Sequence, residues 1–327
     1  MTKLVNSSTP LRRLHNLTGA TWARDANGRA YNTPTLGDDL IANGVLEAAY
    51  VLGVANGWVE VDVSLVGTPT EETSDVYAGA SSQKYVRSGA GTIPRLGSTL
   101  GATVVTGTHY QFEYALKVAA GGVKPLLRNA AVIGAGTVLN YDRAVSPAAW
   151  TLGVDTGRAI STALHPEFLA NSDPTTFLLD GVTVKALTTS ELISTVTAFA
   201  NNLTATASIR AMTTGSWAGA VACWDGTNNG LFAYQNGATV YLDKVVGGTW
   251  TNLLTVTVAF VADAKIEIRR PSGNTYQLWY NGAQRGTDQT VSDAGIISNT
   301  RYGLFSTYSG NTFSEFTLGG SIIPFTF

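Results

Sequence analysis

Tyr110-Gln111-Phe112-Glu113-Tyr114-Ala115-Leu116-Lys117-Val118 decides the fold class. Apolar side chains stand at 110, 112, 114, 116 and 118, with Gln111, Glu113 and Lys117 between them. Successive side chains of a strand point to opposite faces, so this pattern predicts a half-buried strand. A helix would scatter the same apolar residues around its circumference. Outward from here the period recurs. Trp58 to Val66 sets Val59, Val61, Val63 and Leu65 against Glu60, Asp62 and Ser64. Thr176 to Val184 reads as the closing strand of a first sandwich. Ile266 and Ile268 alternate with Glu267 and Arg269, and Tyr276 to Tyr280 follows. Asp225-Gly226, Asn229-Gly230, Asn236-Gly237 and Asn281-Gly282 mark tight hairpin turns, whose left-handed backbone these dipeptides favour. Glu191 to Ala198 has room for a turn of helix, but its Thr, Ile and Val favour strand.

The expected fold class is therefore all-β, with two antiparallel β-sandwich (jelly-roll) domains in tandem after a short N-terminal arm. A chain of 327 residues suits two domains of roughly 150 residues each. The expected division is an arm over 1–38, a first sandwich over 39–187 and a second over 188–327. The arm is set apart by Pro10, Pro34 and the turn Asn27-Gly28, which leave only short strand-like pieces such as Ala20 to Arg24. It is too short for a core of its own, so it is expected to pack on a partner surface or on other copies.

Composition narrows the function. Hydrophobic residues make up 44% and charged residues 13%, the reverse of a disordered chain. The net charge of −2 offers no basic stripe for nucleic acid; Arg12-Arg13 is the nearest approach. No run of 18 apolar residues predicts a membrane span, and Met1 to Ser8 lacks the apolar core of a signal peptide. The single cysteine, Cys223, sits in the apolar run Ala220 to Trp224 and is expected to be buried and inert.

The stretch Leu40 to Leu187 resembles the galactose-binding-like jelly rolls of the carbohydrate-binding-module class. The resemblance is carried by Leu40-Ile41-Ala42-Asn43-Gly44-Val45-Leu46-Glu47 and then Trp58, by the Ser/Gly-rich turn Ala78 to Val86, by Val105 to Tyr110, and by Phe177 to Val184. It implies a structural Ca²⁺ held by Glu47 and Asp180 with backbone oxygens around Gly79 to Ser82. Val45 and Gly181 stand where that family usually carries further acidic residues. The stretch Thr188 to Leu318 is similar to laminin-G-like, concanavalin-type sandwiches, through Ala218 to Asp225, Tyr241 to Val245, Ile266 to Arg269, Leu278 to Gly282 and Phe313 to Leu318. The first 38 residues are similar to the N-terminal attachment arms of bacteriophage virion proteins.

Chemistry is hard to find. His15, His109 and His165 are far apart and form no metal-binding pair, and neither a nucleophile elbow nor a phosphate loop occurs. The second sandwich has no closely spaced acidic triplet of the kind a glycosidase of that fold uses, and Glu71-Glu72 reads as a solvated loop pair. The chain is expected not to be an enzyme. Sugars stack their C–H faces on aromatic rings, which makes Trp58, Trp150, Trp217, Trp224, Trp250, Trp279, Tyr141 and Tyr234 candidates. Trp217 and Trp250 are preferred, because their Gly/Thr-rich flanks read as loops. These readings together imply a virion structural protein (capsid decoration, head fibre or tail appendage) at the virion surface. Its partners would be other virion proteins, copies of itself through the arm, and glycans. The alternative is an extracellular pair of secreted carbohydrate-binding modules; a third reading gives both sandwiches protein contacts only.

Overall fold

The computed structural model describes residues 21–47, 49–62, 64–98, 104–325 and 327. Its regular structure is almost all strand, 55% of residues against 3% in helix, in antiparallel sheets. It divides into two compact units.

The N-terminal unit comprises Pro34–Thr189 and Met212–Trp217. One of its sheets runs in the order Thr151–Arg158, His109–Ala120, Thr175–Leu187, Ser82–Arg87, Gly67–Glu72, with Leu36–Asp39 also on Thr175–Leu187. The facing sheet runs Thr137–Val138, Val123–Asn129, His165–Ala170, Arg95–Ser98, Trp58–Val61. His109–Ala120 is central and pairs on both sides, with Phe112 opposite Asp155 and Val184. Phe112, Tyr114 and Leu116 enter the core, where Phe168 meets the rings of Phe112 and Tyr114 at 5.7 and 5.5 Å. The period of two therefore holds along this strand.

It fails at Trp58 to Val66. The strand ends at Val61, Val59 is exposed, and the buried residue is Trp58. The reason is Asp62. Its carboxylate accepts the N–H of Ser64 at 3.0 Å and that of Gly67, and so folds the chain into a turn. Leu65, expected inside, stands 88% exposed at a positive φ, and Val63 lies outside the described residues.

The C-terminal unit includes residues 190–211 and 218–327. Its larger sheet is ordered Trp22–Arg24, Ala30–Asn32, Thr312–Leu318, Ala205–Ala211, Ala264–Ser272, Thr275–Tyr280, Ala283–Thr290, with Ser321–Ile322 on Thr312–Leu318. The other is ordered Ile193–Thr197, Arg301–Ser306, Ala218–Trp224, Gly230–Asn236, Thr239–Val246, Thr249–Thr257. Residues 22–32, expected to belong to an arm, are thus two strands of a sheet within the chain. Asp25 accepts the N–H groups of Asn27 and Arg29, Gly28 supplies the positive φ, and Trp22 buries its ring against Phe313 at 5.9 Å. Leu36–Asp39 pairs in the other unit. What remains of the expected arm, residues 1–20, lies outside the described residues. Glu191 to Ala198 resolves into a 3₁₀ turn, Thr189–Leu192, and a strand, Ile193–Thr197. Cys223 is buried, and burial pushes its thiol up.

The Phe168 ring is fully buried among Trp58, Phe112 and Tyr114. Phe168→Ala is expected to cost about 3–5 kcal/mol of stability. Denaturant titration followed by circular dichroism measures it.

Candidate functional site

The side chains of His109–Ala120 that turn away from the core form the floor of the site. Glu113, Ala115 and Lys117 belong to this outer face, opposite Phe112, Tyr114 and Leu116. Ala115 is small, and beside it the neighbouring strand turns through Gly181 at a φ of 55°. A Cβ on Gly181 would stand 3.8 Å from the Tyr77 ring and 3.9 Å from the Ala115 methyl. Tyr77 therefore lies on a shelf made by two small residues, and it remains 47% exposed.

Trp150 stands next to Tyr77, ring centroids 5.8 Å apart and planes tilted by 51°. Its indole N–H donates to Asp75 Oδ1 at 2.9 Å, and Lys117 Nζ donates to Asp75 Oδ2 at 2.6 Å. Those two hydrogen bonds, Lys117 first, hold the Asp75 carboxyl below its usual range. Glu113 accepts from the Gln111 amide. Glu72 accepts from Ser74, which holds it down at about 2, and Lys84 lies 3.6 Å away. The result is two half-exposed rings bordered by fixed polar groups.

The loop carrying Asp75 and Tyr77 is pinned at its far end by the two carboxylates singled out from the sequence. Glu47 accepts the N–H of Ala80 at 2.8 Å and of Ser81 at 3.3 Å. Asp180 accepts the N–H of Ala78 at 3.0 Å and of Gly181 at 2.7 Å. Burial pushes the Asp180 carboxyl up against these bonds. The structure thus brings Glu47 and Asp180 to one loop, but the groups that meet them there are N–H donors. Calcium takes six to eight oxygens. As arranged, these residues do not fit a calcium cage, and among the described residues no three His, Cys, Asp or Glu side chains gather around a common point.

The preferred tryptophans are elsewhere. Trp217 is 6% exposed, with His109 edge-on to its ring at 4.9 Å, so it is no open platform. Trp250 lies on Thr249–Thr257 rather than in a loop; the turn is Gly247-Gly248, and its ring packs on Phe232 at 4.5 Å. Trp58, Trp224 and Tyr234 are buried. Trp279 is covered by the Arg269 guanidinium at 3.7 Å, and Tyr141 has Arg143 over it at 5.5 Å. Trp150 is among the aromatic residues the sequence offers as a platform. Tyr77 is not, and its only local signal is the Ser/Gly-rich stretch around it.

Elsewhere in this unit a cleft of about 490 Å³ is lined by Tyr114, Arg143, Thr151, Leu152, Thr213 and Thr214. Its charged group is paired: Arg143 Nη1 lies 2.7 Å from buried Asp155, which also accepts from the Tyr114 hydroxyl at 3.1 Å. His165 is likewise committed, to Ala130 O at 2.7 Å and Glu167 at 3.4 Å.

No family model and no curated protein matches the chain. Solved structures similar to it include the CBM22-1 xylan-binding domain from Paenibacillus barcinonensis Xyn10C, 15% identical over 47% of this chain and 98% of that one, TM-score 0.36. The CBM22-1–CBM22-2 tandem of the same protein is 12% identical over 85% of this chain and 97% of that one, TM-score 0.36. Carbohydrate binding module CBM66 from Bacillus subtilis is 15% identical over 38% and 81%, TM-score 0.31. Likenesses at this level of overlap assign this chain neither a ligand nor a site.

Two outcomes follow. Asp75 has a lowered folded pKa, so its bonds to Trp150 and Lys117 are intact above the usual carboxylate value and are lost only as pH falls through the lower one. A Trp150-dependent fluorescence change, taken as wild type minus Trp150→Phe, is expected with a midpoint below the ordinary aspartate value of about 3.9. Melting temperature is expected to be the same in millimolar Ca²⁺ and in chelator; a rise of several degrees with Ca²⁺ would mean that the 78–81 loop turns its carbonyls to Glu47 and Asp180.

Proposed function

We propose that the chain is a non-catalytic carbohydrate-binding protein whose sugar platform is the Tyr77–Trp150 pair. The observation that carries this reading is the half-exposed aromatic pair beside Gly181, edged by Asp75 and Lys117. A pyranose presents an apolar C–H face and a rim of hydroxyls. Two tilted rings receive the first, and the carboxylate of Asp75 and the ammonium of Lys117 meet the second. Water leaves the ring faces on binding, and the rings are large and lose little rotamer freedom. The carboxylates around the pair are all engaged: Asp75 with Lys117 and Trp150, Glu72 with Ser74, Asp180 with backbone N–H groups. None is set up as a general acid or base, which supports binding without turnover.

The finer placement belongs with this reading. On a virion surface the two sandwiches would be displayed as a decoration, head fibre or tail appendage; the alternative is an extracellular pair of binding modules. Because residues 22–32 are strands of the C-terminal sandwich, the anchoring role expected of the arm falls in this reading to residues 1–20. A chain beginning at Thr21 keeps both strands. If anchoring resides in residues 1–20, that shortened chain loses incorporation into particles and keeps its sugar binding.

Tyr77→Ala and Trp150→Ala are each expected to weaken retention on insoluble polysaccharide at least about tenfold, equal to about 1.4 kcal/mol. Trp250→Phe is expected to leave it unchanged. Depletion assays across a panel of plant and bacterial polysaccharides measure both. Equal retention of wild type and the two alanine variants on every binding polysaccharide would overturn the assignment of the site.

A further inference from the structure

The cleft of about 490 Å³ in the N-terminal unit shares a strand with the aromatic pair. Thr151 and Leu152 line it, and Trp150 directly precedes them in the chain. Leu152 lies opposite Ala115 and is 49% exposed. Ala115 in turn lies beside Gly181, next to the Tyr77 ring. The rings and the cleft therefore meet at one border, the strand Thr151–Arg158, which ends its sheet.

The direction of the cleft follows from the register. Side chains alternate along a strand, so Leu152 faces outward with Ala115. Thr151 and Gly153 stand opposite Leu116 and Tyr114, whose side chains enter the core. Leu152, Leu116 and Tyr114 all line the cleft. It therefore runs from the outer face around the sheet edge and down toward the core, at an angle to the face that carries the rings. A linear sugar chain lying on that face passes its mouth, and only a group projecting from the chain enters.

The lining selects the guest. Tyr114, Leu116 and Val145 supply apolar walls, and Thr151 and Thr214 supply exposed hydroxyls. Arg143 is the one charged side chain among the described residues that line the cleft. Its guanidinium is already held, by Asp155 at 2.7 Å and by Thr214 O at 3.5 Å. A charged guest would have to compete with that ion pair, whereas a neutral one leaves it intact. Pockets for small ligands measure about 300–1,000 Å³, so the cleft suits a ring and is far larger than an acetyl group needs. We infer that it receives a neutral single-sugar branch of the polysaccharide whose backbone lies on Tyr77 and Trp150, an inference that rests on the carbohydrate reading above. The apolar walls take the C–H face of the branch, and the threonine hydroxyls meet its rim. Branched polysaccharides are then preferred to linear ones, because a bare backbone leaves the cleft to water.

The test is affinity electrophoresis in every polysaccharide that the panel retains, with galactomannan, xyloglucan and arabinoxylan included, each before and after enzymatic removal of its single-sugar branches. Removal is expected to weaken binding at least about tenfold. Thr214→Trp, which fills the cleft, and Leu152→Asp, which charges its mouth, are each expected to abolish the difference with unchanged far-UV circular dichroism; should one unfold, the other decides. A stripped or naturally linear backbone bound as tightly as the branched parents overturns the inference, as does a difference that survives in both folded variants. The two readings fail apart. If Tyr77→Ala weakens binding and stripping does not, the platform stands and the cleft falls. If neither matters, or no polysaccharide binds, both fall.

Discussion

The strand His109–Ala120 is bonded on both sides and packed on one face, so its register cannot move. A slip of one residue would carry Glu113 and Lys117 into a core built around Phe112, Phe168 and Phe177. Burying two unpaired charges costs far more than any loop rearrangement could return. That constraint fixes where Ala115 lies, and Gly181, beside it on the next strand, lies close to the Tyr77 ring. The site is therefore a consequence of core packing on the other side of the same strand.

The loop above the shelf is held by charge. Hydrogen bonds to ionised groups contribute about 1.5–3 kcal/mol each, roughly twice what neutral ones do. Asp180 works against its own burial, which favours the neutral acid, and the N–H groups of Ala78 and Gly181 answer its charge. Glu47, from a separate segment, accepts the N–H groups of Ala80 and Ser81. Two acidic residues beside N–H donors and two aromatic rings beside small residues make a rigid platform from a Ser/Gly-rich loop that would otherwise be mobile in isolation. Preorganisation of this kind lowers the ordering cost of binding a flexible, polar ligand.

How far the sequence could be read depends on where the deciding interaction lies. Tyr110 to Val118 is legible because its periodicity and its packing agree. Trp58 to Val66 is not, because the carboxylate of Asp62 captures two backbone N–H groups and ends a strand that the valines alone would continue. Trp217 and Trp250 sit in stretches that look like loops, yet His109 and Phe232, remote in sequence, supply the rings that cover them. Tyr77 escapes notice for the converse reason: its exposure depends on Ala115 and Gly181, neither of which is near it in the chain. Glu47 and Asp180 could be paired only through a resemblance, and the pairing at one loop is found while the groups they meet there are donors. Alternation is a local property and survives reading; exposure of a ring is a tertiary property and does not.

A single aromatic pair holds a sugar weakly, since only the surplus over lost ligand freedom appears as affinity. A polysaccharide repeats its epitope, so two platforms fixed in one particle convert the second contact into an intramolecular event, and avidity rises by orders of magnitude without a new contact surface.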